Sequence, residues 1–301
     1  MQSLNYKRRY LILNNNKIVL KNVSKRFGKH TALKNVSLEI NNGMFGLIGP
    51  NGAGKTTMMR LMTTLEEQSK GSISVNGFDT IKDKLEIRKI IGFLPQDFEV
   101  YPELKAIEFL NYIANLNKIN NKDTIVNSLL KKVNLYNDKD RKIGGFSGGM
   151  RRRLGIAAAL INNPKILIVD EPTAGLDPEE RIRFRSMIVE LSQDRIVILS
   201  THIVEDISAS CEQIGLLVRG ELGYVGRPYD FIDTVANKSW EIMIKDKSEL
   251  VDIKEKYQII AITQMKKETS IRVISESKPS INSVLVNPNL EDAYLYYMKD
   301  Q

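Results

Sequence analysis

The six residues Gly43-Met44-Phe45-Gly46-Leu47-Ile48 constrain the fold more than any others in the chain. They are almost continuously apolar, and they run straight into a glycine-rich loop that is followed from Lys55 to Leu65 by a helical pattern. A strand with no polar alternation must be covered on both faces, as strands in parallel sheets are. The same character returns at Ile166-Leu167-Ile168-Val169, which ends in Asp170-Glu171, and at Ile196-Val197-Ile198-Leu199. Helical sequence from Pro178 to Leu191 separates those two runs. Strand, helix, strand with this hydrophobicity is a βαβ unit, so the chain reads as α/β with a parallel-sheet core.

Other segments fill in the organisation. Ile18 to Phe27 and Val36 to Ile40 alternate partially, and Ile73-Ser74-Val75 followed by Asn76-Gly77 predicts a strand and turn. From Pro102 to about Asn137 the pattern is helical: Val126, Leu129, Leu130 and Val133 share one helix face, with Asp123 as the expected N-cap. Met150, Leu154, Ala157, Ala158 and Ile161 make another amphipathic helix, stopped by Pro164. Beyond Gly226 the character changes. Trp240 to Ile244 alternates, Ile259 to Met265 and Ile271 to Ile274 flank a turn, and Leu290 to Met298 reads as a helix with Glu291 and Asp292 in its first turn. The expected organisation is an extension over 1–17, a main domain over 18–226 with a helical subdomain about 98–164, and a small C-terminal α/β domain over 227–301.

Composition narrows the function classes. One cysteine, Cys211, excludes a disulfide framework, and two histidines, His30 and His202, exclude a multi-histidine metal site. No segment reaches the roughly 18 apolar residues of a spanning helix, and Asn14, Asn15 and Asn16 cut short the apolar patch near the start. The expectation is a protein that stays in the cytoplasm. The net charge of +8 is scattered among asparagines and glutamates, with no dense basic block interleaved with aromatics, so no nucleic-acid partner is expected.

Gly49-Pro50-Asn51-Gly52-Ala53-Gly54-Lys55-Thr56 satisfies the phosphate-loop pattern G-x-x-x-x-G-K-[ST]. The backbone must curl around phosphate with its N–H groups inward, at a helix N-terminus that favours anions. Lys55 then reaches the β- and γ-phosphates, and the Thr56 hydroxyl, with Thr57 beside it, lies next to Mg²⁺. The competing reading is an incidental glycine turn, which the preceding strand and following helix oppose. Asp170 closes a buried strand, so its carboxylate emerges along the edge where parallel sheets bind ligands. It is placed to hold Mg²⁺ opposite Thr56, and Glu171 to polarise the attacking water as general base. The competing reading of that pair is a helix cap for the turn at Pro172.

The segment Phe146-Ser147-Gly148-Gly149-Met150 resembles the signature motif of ATP-binding cassette proteins, usually Leu-Ser-Gly-Gly-Gln. Gln96, Thr173-Ala174-Gly175-Leu176-Asp177 and His202 follow the order of that family's glutamine loop, D-loop and switch histidine. The resemblance covers roughly Ile18 to Gly226. It implies that ATP is held by one chain's phosphate loop while Ser147, Gly148 and Gly149 of a partner close over the γ-phosphate. It further implies that His202 contacts that phosphate, that Gln96 reaches Mg²⁺ and the attacking water, and that Phe27 stacks on adenine. The bland reading of Phe27 is a core residue at a strand end, and His30 reads as loop surface.

Two departures from the family pattern matter. Met150 replaces the usual glutamine, leaving the three phosphate-contacting residues before it intact. Arg151, Arg152 and Arg153 sit at a helix N-terminus, where cations oppose the dipole; a nearby triphosphate and a solvated basic face are both open readings. The Ser-Gly-Gly-Met-Arg-Arg-Arg segment is similar to the export-type branch that includes antibiotic, lantibiotic and polysaccharide exporters. The resemblance therefore implies an ATPase that pairs as a homodimer, or with a second cassette, on a separate membrane permease at the cytoplasmic face of the membrane. The alternative is a soluble cassette protein acting on ribosomes or nucleic acid. The single cassette, and the absence of a coiled coil between Gln96 and Ser147, argue against it.

Overall fold

The apolar run forms β3, Gly43–Ile48, and every residue of it is buried. The computed structural model describes residues 16–299 apart from 174, 202, 209, 247, 267 and 281. The described chain divides into two compact units between Val225 and Gly226.

In the first unit, β1 (Lys17–Phe27), β2 (His30–Asn41), β4 (Lys70–Val75) and β5 (Phe78–Asp79) form an antiparallel sheet in the order β2-β1-β4-β5. The turn between β4 and β5 is Asn76-Gly77, with φ of 49° and 84°, the left-handed pair that a two-residue hairpin requires. A second sheet has the order β10-β9-β3-β8-β7-β6, where β6 is Ile91–Leu94, β7 Ile166–Asp170, β8 Ile196–Ser200, β9 Gln213–Val218 and β10 Glu221–Gly226. From β9 through β6 the neighbouring strands run parallel. Their C-terminal ends share one edge, which places the residues after Ile48, Leu94, Asp170 and Ser200 together.

Helix α1 (Lys55–Met62) buries Met58, Met59, Leu61 and Met62. These side chains belong to one apolar cluster with Ile18, Leu20 and Val23 of the antiparallel sheet and Leu47, Ile168 and Ile198 of the parallel sheet. Each fully buried side chain of this size contributes about 1.5–3 kcal/mol. The start of α1, and with it the phosphate loop, is therefore anchored from both sheets.

The remaining helices of this unit are α2 (Lys84–Ile90), α3 (Ala106–Leu116), α4 (Lys122–Lys132), α5 (Gly148–Ala159), α6 (Pro178–Leu191) and α7 (Val204–Ser208). The helical stretch expected over Pro102 to Asn137 is two helices, broken where Lys118 and Asn121 take left-handed backbone. Asp123 is not the N-cap of α4. Asn121 holds that position without a side-chain hydrogen bond, and Asp123 lies in the first turn, where its charge suits the dipole.

The second unit holds α8 (Pro228–Ile232), β11 (Ser239–Ile244), α9 (Glu249–Lys256), β12 (Gln258–Gln264), β13 (Thr269–Ile274), β14 (Ser283–Leu285) and α10 (Leu290–Lys299). Its antiparallel sheet has the order β12-β13-β11-β14, and Ile242, Ile244, Ile271 and Val273 form its small core. Asp292 does more than complement a dipole. It is fully buried, accepts from Arg272 Nη2 and Nε and from the Ser239 hydroxyl, and closes the turn before α10 through the Asn289 N–H. No helix among the described residues is long and apolar enough to cross a membrane.

Candidate functional site

The loop after β3 owes its shape to glycine. At Gly49, φ is 154° and an added Cβ would lie 2.1 Å from the Leu217 carbonyl oxygen; at Gly54, φ is 107° and the same atom would lie 2.6 Å from Ala32 O. Any other residue at either position collides with backbone that cannot yield. Gly54 is also the N-cap of α1, and it offers no side chain to the first-turn N–H groups. With no acidic residue in that turn either, the helix N-terminus keeps its donors and its partial positive charge for an outside anion.

Lys55 is buried and folds back over the loop, donating to Gly49 O at 2.6 Å and Pro50 O at 3.3 Å. Its ammonium lies 3.8 Å from Glu171 Oε1. Burial lowers its pKa, opposed by the charges of Glu171 and Asp170. The Thr56 hydroxyl donates to Asp170 Oδ2 at 2.9 Å. Asp170 Oδ1 is buried with no hydrogen bond, and the Ser200 hydroxyl is beside it, its neighbour in register on β8. Burial pushes the Asp170 carboxyl up, and the Thr56 and Ser200 hydroxyls draw it back down. Glu171 takes φ of 48°, a left-handed conformation that costs a non-glycine residue about 1–2 kcal/mol. Its N–H donates to Ser200 O at 2.8 Å, which holds that strained turn in place.

These groups line a cleft of 390 Å³. Of the residues singled out by sequence, Phe27, Pro50, Asn51, Gly52, Ala53, Gly54, Lys55, Thr56, Thr57, Gln96 and Glu171 face it. Gly49 and Asp170 stand just behind, bonded to Lys55 and Thr56. Phe27 is 44% exposed, which removes the core reading, and Lys25 Nζ sits 4.6 Å from its ring centroid. His30 is more than loop surface. It opens β2 directly opposite Phe27 and faces the same cleft, as Ala32 does. Only the register across the Gly28-Lys29 turn could have revealed that. His202 lies outside the described residues.

The signature segment is elsewhere. Ser147 caps α5, its hydroxyl accepting from the Met150 N–H at 3.1 Å, and Ser147 and Gly148 are exposed. Gly148 lines a separate hollow of 270 Å³, shared with Gln96 and Leu176. The three arginines that follow each have a partner within the chain, with Arg151 exposed and Arg152 and Arg153 half-buried. Arg151 donates to Phe146 O at 2.6 Å, Arg152 donates to Gln96 O at 2.6 Å, and Arg153 lies 3.5 Å from Glu180 with 11% of its side chain exposed. Asp177 is the N-cap of α6, accepting from the Glu180 N–H at 2.9 Å, so the cap in this region lies beyond the Asp170-Glu171 pair. Thr173 and Asp206, both buried, are joined at 2.6 Å, a link that nothing in the sequence announces.

Comparison with known proteins agrees with this geometry. Residues 33–174 match the family described as ABC transporter. The ABC transporter ATP-binding protein NatA of Bacillus subtilis is 38% identical over 69% of this chain and 89% of its own length. The linearmycin resistance ATP-binding protein LnrL of the same organism is 35% identical over 69% of this chain and 68% of its own. Among solved structures, the dimeric structure of a bacterial ABC transporter cassette covers 70% of this chain and 98% of that one, with 29% identity and a TM-score of 0.64. The parallel sheet, the glycine loop and these relatives lead to one assignment: the chain belongs to the ATP-binding proteins of ABC transporters, a family of ATPases.

Proposed function

We propose that this ATPase works as one of a pair of cassettes, and that the residues of the 390 Å³ cleft bind and cleave ATP. In this reading Phe27 stacks on the base, the loop over residues 49–56 wraps the phosphates, and Lys55 lies against the β- and γ-phosphates. Glu171 takes the proton of the attacking water, with Gln96 and His202 completing the γ-phosphate site. The observation that carries the reading is the Thr56–Asp170 hydrogen bond beside Lys55, at the mouth of an uncapped helix.

Thr56 and Asp170 suit Mg²⁺. Both present hard oxygens, and the buried Asp170 Oδ1 has an acceptor site to spare. Among the described residues no cluster of three or more His, Cys, Asp or Glu could hold a metal alone. A cation that takes one carboxylate, one hydroxyl and phosphate oxygens needs none. When bound, Mg²⁺ neutralises charge developing on the phosphate oxygens.

Ser147, Gly148 and Gly149 act on the nucleotide of the second cassette. The exposure of Ser147 and Gly148 supports this, as does the likeness to a dimeric cassette. A separate membrane subunit carries the substrate, with this chain bound to it at the cytoplasmic face. Its docking surface is the helical segment over residues 102–137 with the Gln96 loop, where Tyr112 is 55% exposed. The linearmycin resistance relative favours export. The test is fractionation: the protein should enter membranes only when the membrane subunit is co-expressed. Equal membrane association without that subunit would contradict the reading.

A further inference from the structure

Arg152 stands in the first half of α5, where a cation opposes the helix dipole and a neutral residue would serve the helix better. It is half-buried rather than solvated. Its Nη1 donates to Gln96 O at 2.6 Å and to Pro95 O at 3.3 Å, reaching across 56 and 57 residues of chain. Burial lowers its pKa, and the charge is supported by Asp97 and then by Asp170 and Glu171. Its neighbours have other tasks, since Arg151 closes its own helix turn and Arg153 braces α5 against Glu180 at the start of α6.

The choice of acceptors is informative. Both are main-chain carbonyls, so Arg152 grips the backbone of the loop and leaves the Gln96 side chain free to face the nucleotide cleft. Between the loop and the N-terminus of α5 lies the 270 Å³ hollow, lined by Gln96, Gly148 and Arg152 itself, so Arg152 spans the two where little else packs between them. A movement of the Gln96 backbone must then either carry the start of α5 with it or break two charge-assisted hydrogen bonds.

We propose that Arg152 is a positioning residue that couples the Gln96 loop to the N-terminus of α5. Through it, the state of the nucleotide in a chain's own cleft is passed to the Ser147–Gly149 segment offered to the second cassette. The inference rests on the paired-cassette reading above. It assigns the link between a chain's two half-sites to one guanidinium bonded to two main-chain carbonyls.

The test uses the full chain and the variants Arg152→Gln and Arg152→Lys, with ATP as the probe. Measured for each are the ATP dissociation constant, kcat, the Hill coefficient of turnover and the melting temperature. Arg152→Gln should bind ATP within about twofold of wild type, while kcat falls about tenfold or more and the Hill coefficient falls to one. Arg152→Lys, a point charge without the planar fork, should fall between. If Arg152→Gln keeps wild-type kcat and cooperativity, the coupling is wrong. If affinity, kcat and melting temperature of both variants fall together, Arg152 is merely structural and the inference also fails. A wild-type chain that turns over ATP without cooperativity and never pairs would overturn the paired-cassette reading itself, and this inference with it.

Discussion

The Thr56 hydroxyl donates to Asp170 Oδ2 at 2.9 Å, across 114 residues of chain. One residue belongs to the first turn of α1 and the other ends β7. Both are held by the same apolar cluster, α1 through Met58 and Met59 and the strand through Ile166 and Ile168. The bond is thus a product of core packing. It sets a hydroxyl and a carboxylate side by side, at the edge where the glycine loop opens.

That corner predicts the metal requirement. Asp170→Asn keeps an oxygen for Thr56 but removes the charge, so the Mg²⁺ concentration for half-maximal ATP turnover should rise about ten- to a hundredfold. Chelating Mg²⁺ should abolish turnover by wild type. Mg²⁺ titrations of the two proteins check this, and superimposable curves would remove Asp170 from the metal site.

Phe27→Ala should weaken ATP binding by about 1–3 kcal/mol, the usual worth of a base stacked on an aromatic ring. That corresponds to roughly a five- to 150-fold rise in dissociation constant, with kcat at saturation little changed. Stacking is tolerant of the base, so GTP should be accepted with modest discrimination. Equilibrium titration with both nucleotides gives the answer; an unchanged constant would mean that the exposed ring is not the base platform.

In the second unit, Asp292→Ala leaves the Arg272 guanidinium without its buried partner. Breaking such a pair costs about 3–5 kcal/mol. Trp240, on β11 of that unit's sheet, is the sole tryptophan of the chain, so its fluorescence reports on the unit directly. The Trp240 transition should move to lower temperature in the variant, while ATP affinity at the Lys55 cleft is retained. An unmoved Trp240 transition would show that the pair adds nothing to this unit.

How far the site could be read from sequence follows from what each residue needs. Gly49 through Thr56 were legible because their chemistry is contiguous, a backbone cradle and the helix behind it. Asp170 and Glu171 were legible because an apolar strand with no alternation must end somewhere, and a carboxylate there lies on the ligand edge. Arg152, Arg153 and the Thr173–Asp206 link were not legible. Their partners, Gln96 O, Glu180 and Asp206, are joined to them by tertiary packing and not by any period in the sequence. The break between α3 and α4 was missed for a related reason. Left-handed Lys118 and Asn121 carry no glycine or proline to mark the end of a helix. Asp292 was read by its place in a helix, since a buried arginine partner cannot be seen from a first turn.

If Glu171 is the base that cleaves ATP in this cleft, Glu171→Gln separates binding from hydrolysis. The substitution keeps size and hydrogen bonding, so ATP and Mg²⁺ should still bind. Removing a general base typically costs about 10²–10⁴-fold. Steady-state hydrolysis should fall by that order, and the variant should accumulate as an ATP-bound dimer, measured by the molar mass in solution with ATP and Mg²⁺. Hydrolysis near the wild-type rate by this variant would mean that Glu171 is not the base.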